Sequence, residues 1–182
     1  MKSRIISLTA IASALVALCL TIGVYFEVAD FTGLIIASAF VILPLYFKSI
    51  KACFLCYFVG GVIALILSGF NVIYSVVFPA YFLFFGIYNI IKNILYDKKF
   101  NKIITFSLGF IWGVATIYGM FYYYSVVMGM DFNTFPSWVP SFISDNFIYF
   151  IGLLGAFYFI IYDRFVIVVR IFFNYWLKRI LK

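Results

Sequence analysis

Long apolar runs, broken by short clusters of charged or turn-forming residues, set the pattern of this chain. Six runs stand out, at residues 5–26, 31–47, 52–69, 72–91, 103–128 and 147–162. Each approaches the roughly 20 apolar residues that a helix needs to cross a bilayer. The pattern therefore predicts an all-α, polytopic bundle of six transmembrane helices. The first run, at 22 residues, is too long for the apolar core of a cleaved signal peptide and reads as a retained span. The third is expected to turn tightly through Phe70 and Asn71 into the fourth. Lys92, Asp97, Lys98, Lys99 and Lys102 read as a polar loop, and Gly129 to Asn146 as a long loop carrying Pro136 and Pro140. Residues 1–164 form the expected membrane domain. Residues 165–182 follow as an amphipathic tail, with Arg170, Asn174, Lys178 and Lys182 on one helical stripe.

Composition strengthens this reading. The 182 residues are 67% hydrophobic and 10% charged, against about 25% charged in soluble domains. Charge then supplies an orientation. With six spans, all 13 bases fall at the end that carries the termini, while Glu27, Asp30, Asp131 and Asp145 fall at the other. The positive-inside rule predicts a cell-membrane protein with both termini in the cytoplasm. Bases scattered among short loops offer no docking face for nucleic acid.

The absence of histidine excludes His-based triads and His-ligated metal sites. Cys19, Cys53 and Cys56 lie in apolar runs, and Cys53-x2-Cys56 reads as packing. No catalytic residues, metal or cofactor are expected. Pro44 and Pro79 are expected to bend the second and fourth spans. An ion-coupled carrier needs ionisable groups inside the membrane, and the runs through residue 128 contain none.

Two groups of residues remain as candidate sites. Ala10, Ser13, Ala14 and Ala17 place small side chains along the first span. Such a strip permits close helix approach in lipid, either within the bundle or against a separate subunit. At the acidic end, Glu27, Asp30, Asn71, Tyr74, Tyr123, Trp138 and Asp145 come from several spans and loops and are candidate solute contacts. Four acids and no base at that end predict a neutral or cationic solute, with a ring lying on Tyr74, Tyr123 or Trp138. Glu27, Asp30 or Asp145 would supply counter-charge, and the loop from Gly129 would act as a lid.

With its basic N-terminal stub, Ala10-x3-Ala14, the segment Val41-Ile-Leu-Pro44, a Gly-rich third span and Phe78-Pro-Ala-Tyr-Phe-Leu-Phe-Phe-Gly-Ile-Tyr88, the chain resembles the substrate-binding S components of energy-coupling factor (ECF) vitamin transporters. The resemblance implies capture of a vitamin-like solute at the outer face. It also implies docking of Ala10 and Ala14 on a transmembrane coupling subunit that carries two cytoplasmic ATPases. The ATPases would be separate chains, since no Walker-type motif is present. The nickel and cobalt branch of that family begins Met-His, whereas this chain begins Met1-Lys2. The alternative is a structural or assembly membrane protein of similar shape with no small-molecule ligand.

Overall fold

The computed structural model describes residues 2–26, 29–70, 75–127, 129 and 146–180, and these are almost entirely helical, with no strand among them. The helices are α1 (Lys2–Tyr25), α2 (Asp30–Val41, continued by a 3-10 turn at Leu43–Phe47), α3 (Ile50–Leu67), α4 (Val77–Asp97), α5 (Lys102–Val127) and α6 (Phe147–Ile180). With the 3-10 turn counted in α2, all six are long and apolar enough to span a membrane.

Contacts at the helix ends show that the helices run alternately up and down. The Tyr25 hydroxyl, at the end of α1, donates to the Leu67 carbonyl at the end of α3. Gly23 lies close to Asp30 at the start of α2 and Val77 at the start of α4. The Tyr118 hydroxyl in α5 donates to the carbonyl of Ile148 in α6. At the opposite end, Arg170 of α6 pairs with Asp97 of α4. The connections bearing Lys48 and Lys51, and Lys98, Lys99 and Lys102, therefore share one end, with Asp30 at the other.

The bundle exposes many large apolar side chains and buries several polar ones inside a hydrophobic core. Ile6, Ile11 and Leu18 on α1, and Leu153, Leu154, Phe157 and Ile161 on α6, are exposed, while Ser38, Asn89, Lys92, Asn93 and Asp163 are buried. An apolar exterior, with polar groups buried among apolar ones, suits a lipid solvent, because those polar groups must be satisfied inside. α4 is the most buried of the spans and α5 the least.

Small residues set the helix separations. A Cβ at Gly33 would lie 2.7 Å from the Cys19 carbonyl oxygen, so α1 and α2 cross almost backbone to backbone. Gly60 of α3 makes room for the Val16 side chain, and Gly109 and Gly113 of α5 make room for the rings of Tyr88 and Phe159. These glycines pack the interior.

Several sequence boundaries shift. The fourth span occupies Val77–Asp97 rather than 72–91. Pro79 therefore sits in the first helical turn, where its missing N–H leaves no intrahelical bond unmade. Ser75 Oγ accepts from the Val77 N–H at this start. Irregularity comes two residues after Pro79, in a π-helical turn at Tyr81–Phe85. Hydroxyls reach its carbonyls: Tyr57 donates to Phe82 and Tyr162 to Phe85. Pro44 lies in the 3-10 turn that ends the second span, which Lys48 closes at φ 55° before Ser49 caps α3. The expected division between residues 164 and 165 falls inside α6, whose 34 residues continue unbroken. The polar stripe of the tail is the far end of that same helix. Lys182 lies outside the described residues.

Candidate functional site

Of the expected solute contacts, Glu27, Asn71, Tyr74, Trp138 and Asp145 lie outside the described residues, as does most of the loop from Gly129. Asp30 opens α2, where its carboxylate favours the positive end of the helix dipole. Tyr123, near the end of α5, is half-buried and packs against the core. Neither residue by itself defines a pocket.

The strip on α1 divides. Ser13 and Ala17 are buried, and the Ser13 carbonyl faces Gly60 of α3. Ala10 and Ala14 are exposed. The four residues lie within an arc of about 100° on the helix, and the edge of the packed surface runs through that arc, covering Ser13 and Ala17 and leaving Ala10 and Ala14 outside it. The exposed positions continue downward through Ser7 and Ser3, giving a narrow strip of small side chains at Ser3, Ser7, Ala10 and Ala14. Ser7 Oγ donates to the Ser3 carbonyl, so its hydroxyl is satisfied by its own helix.

The densest chemistry lies elsewhere, in a polar seam joining α2, α4 and α6. Tyr88 and Lys92 stand one turn apart on α4, as do Asn89 and Asn93, which brings all four to the face that meets α6 and α2. Lys92 Nζ forms an ion pair with Asp163 Oδ1, the two side chains being 10% and 5% exposed. The Tyr88 hydroxyl donates to the same carboxylate oxygen. One residue earlier on α6, the Tyr162 hydroxyl lies 2.9 Å from both Ser38 Oγ and the Phe85 carbonyl. Asn89 Nδ2 donates to the Ser38 carbonyl at 2.7 Å, and Asn93 Nδ2 to the Asn89 carbonyl at 2.8 Å. The seam ends where Arg170 donates to the Asn93 carbonyl, pairs with Asp97 and stacks over the Tyr96 ring.

Compared with protein-family models, curated proteins and solved structures, the chain matches none.

Sequence reading misplaced this seam. It put Lys92 in a polar loop and stopped the sixth span at Tyr162, so no ionisable group fell inside the membrane. The signal was nevertheless present: Tyr88 with Lys92 and Asn89 with Asn93 repeat at the four-residue spacing of a helix face. Continuing that helix to Asp97 buries Lys92 and requires an acid opposite, which Asp163 provides. Chemically the seam is a clasp. Two charges removed from water are held only because each has the other and further hydrogen bonds nearby. Cys53 and Cys56, also buried, are free thiols, and no cluster of metal-ligating residues occurs among the described residues.

Proposed function

We propose that this chain is the membrane-embedded, solute-binding subunit of an ATP-driven uptake system, as its resemblance to ECF S components implies. The observation that supports this reading is the outward exposure of Ala10 and Ala14 beside a tightly packed α1–α3 seam. Helices in lipid gain little from burying apolar surface and associate through close backbone contact. A small-residue strip that the bundle does not itself use is the kind of surface a second membrane subunit packs on. The solute would be a neutral or cationic, vitamin-like molecule taken up at the acidic end, which faces outward in the cell membrane with both termini in the cytoplasm.

Purification of the tagged chain from its native membranes into lipid nanodiscs tests the proposal. A second membrane subunit, ATPase chains and a small molecule are expected to accompany it. Ala10→Leu with Ala14→Leu is expected to remove the partner chains while leaving the small molecule and the melting temperature unchanged. Ala17→Leu, which overfills an internal seam, is expected to lower stability by about 1–3 kcal/mol. A chain isolated with neither ATPase nor small molecule would refute the reading and favour the structural alternative.

Orientation has its own test. A cysteine replacing Lys98, in the exposed connection between α4 and α5, is expected to react with impermeant reagents only from the cytoplasmic side. Labelling from outside would overturn the N-in, C-in assignment.

One observation favours a second reading. The Lys92–Asp163 pair supplies the intramembrane ionisable groups that an ion-coupled carrier needs. Uptake that persists without ATP and collapses with the proton gradient would select that reading over the first.

A further inference from the structure

A cleft opens at the basic end of the bundle, between the 3-10 turn of α2 and the far part of α6. Ile42, Leu43, Leu45, Phe173 and Leu177 give it apolar walls, and Tyr46, Arg170 and Asn174 add polar groups. We infer that this cleft binds the phosphodiester headgroup of an anionic phospholipid, with an acyl chain running along the apolar wall.

Depth is the first argument. Arg170 lies 23 residues beyond the start of α6 at Phe147, which is about 35 Å along a helix rising 1.5 Å per residue. The hydrocarbon core is only about 30 Å thick, so Arg170 and Asn174 stand at headgroup level. Tyr175 and Trp176, beside Asn174, are 70% and 50% exposed. Exposed Tyr and Trp at one level of a spanning helix mark the membrane interface.

Charge is the second. Asp97 is engaged by Arg170 and Asp163 by Lys92, and no other acid lies at this end among the described residues. Lys48, two residues beyond Tyr46, and Lys178, one turn beyond Asn174, are exposed and flank the cleft. Arg170 is held in place by Asp97, the Asn93 carbonyl and the Tyr96 ring, and its guanidinium has donors beyond those used in these bonds. Basic pockets between spanning helices are suited to lipid phosphates.

The experiment uses the full chain, equilibrated with equal amounts of phosphatidylcholine and phosphatidylglycerol, and reads the retained lipid by native mass spectrometry. Phosphatidylglycerol is expected to be retained in preference by about fivefold or more. Asn174→Asp places a carboxylate in the cleft at an exposed position and is expected to abolish that preference without changing the melting temperature in phosphatidylcholine. Lys99→Gln, which lowers the charge of the α4–α5 connection, is expected to leave it intact. Equal retention of the two lipids by the wild-type chain would overturn the inference. An equal loss in Lys99→Gln would also overturn it, because attraction would then be diffuse. Displacement of phosphatidylglycerol by millimolar inorganic phosphate would do the same by identifying a site for free phosphate.

Discussion

Asp163→Asn is expected to destabilise the bundle by about 3–5 kcal/mol, a large part of the total stability of a typical domain. The substitution keeps the shape of the side chain and removes its charge. Lys92 is then left buried with no counter-ion, and Tyr88 donates to a neutral amide. Lys92→Met leaves the carboxylate unpaired and is expected to cost a similar amount. The double variant Lys92→Met with Asp163→Leu is expected to recover most of the loss, because removing both charges also removes the desolvation penalty. Its remaining defect is the orphaned Tyr88 hydroxyl, worth about 1–3 kcal/mol, and Tyr88→Phe in the same background should relieve that too. Arg164→Gln, next in sequence but exposed, is expected to stay within about 0.5 kcal/mol of wild type. Unfolding by dodecyl sulfate in mixed micelles, followed through Trp112 fluorescence, measures all five. An Asp163→Asn protein within about 1 kcal/mol of wild type would show that the seam is not a clasp.

Gly33→Ala is expected to have the second-largest effect. The added Cβ would meet the Cys19 carbonyl oxygen at 2.7 Å and the Gly23 Cα at 3.3 Å. Both are backbone atoms of α1, so no side chain can rotate away, and the two helices must separate along their crossing. Overpacking of this sort costs about 1–3 kcal/mol, and the rigidity of the obstacle puts Gly33→Ala at the upper end. Gly23→Ala, across the same seam, finds its nearest atoms at an ordinary 3.6 Å. It is expected to be neutral. Gly119→Ala has no atom within 4 Å of its Cβ and is expected to stabilise α5 by up to about 1 kcal/mol through helix propensity. The same unfolding assay ranks the three. Equal effects at Gly33 and Gly119 would mean that the helix crossing is looser than described.

Much of the architecture was legible from the chain alone. Spans one, two, three and five lie within a few residues of their apolar runs, because a run that must cross hydrocarbon as a helix announces its own length. Span four shifted to Val77–Asp97 because Lys92 was read as a loop residue, and span six lengthened because Asp163 and Arg164 were read as a boundary. Both errors share one cause. A charge inside an apolar helix is affordable only when a partner stands opposite, and the partner of Lys92 is 71 residues away.

The strip on α1 teaches the same lesson at smaller scale. The sequence located the small residues but not the face each one takes. Only the packing of Gly60 against Val16 and the Ser13 carbonyl decided that Ser13 and Ala17 turn inward while Ala10 and Ala14 look out. Of the candidate solute contacts, Asp30 and Tyr123 can be placed on their helices, and the others fall in connections outside the described residues. Composition and the apolar runs thus determined that the described residues are almost entirely helical, with six membrane-length helices among them, since hydrophobicity acts locally along each segment. The tertiary structure alone decided which polar groups meet, because an ion pair, a helix crossing or a cleft belongs to segments far apart in the chain.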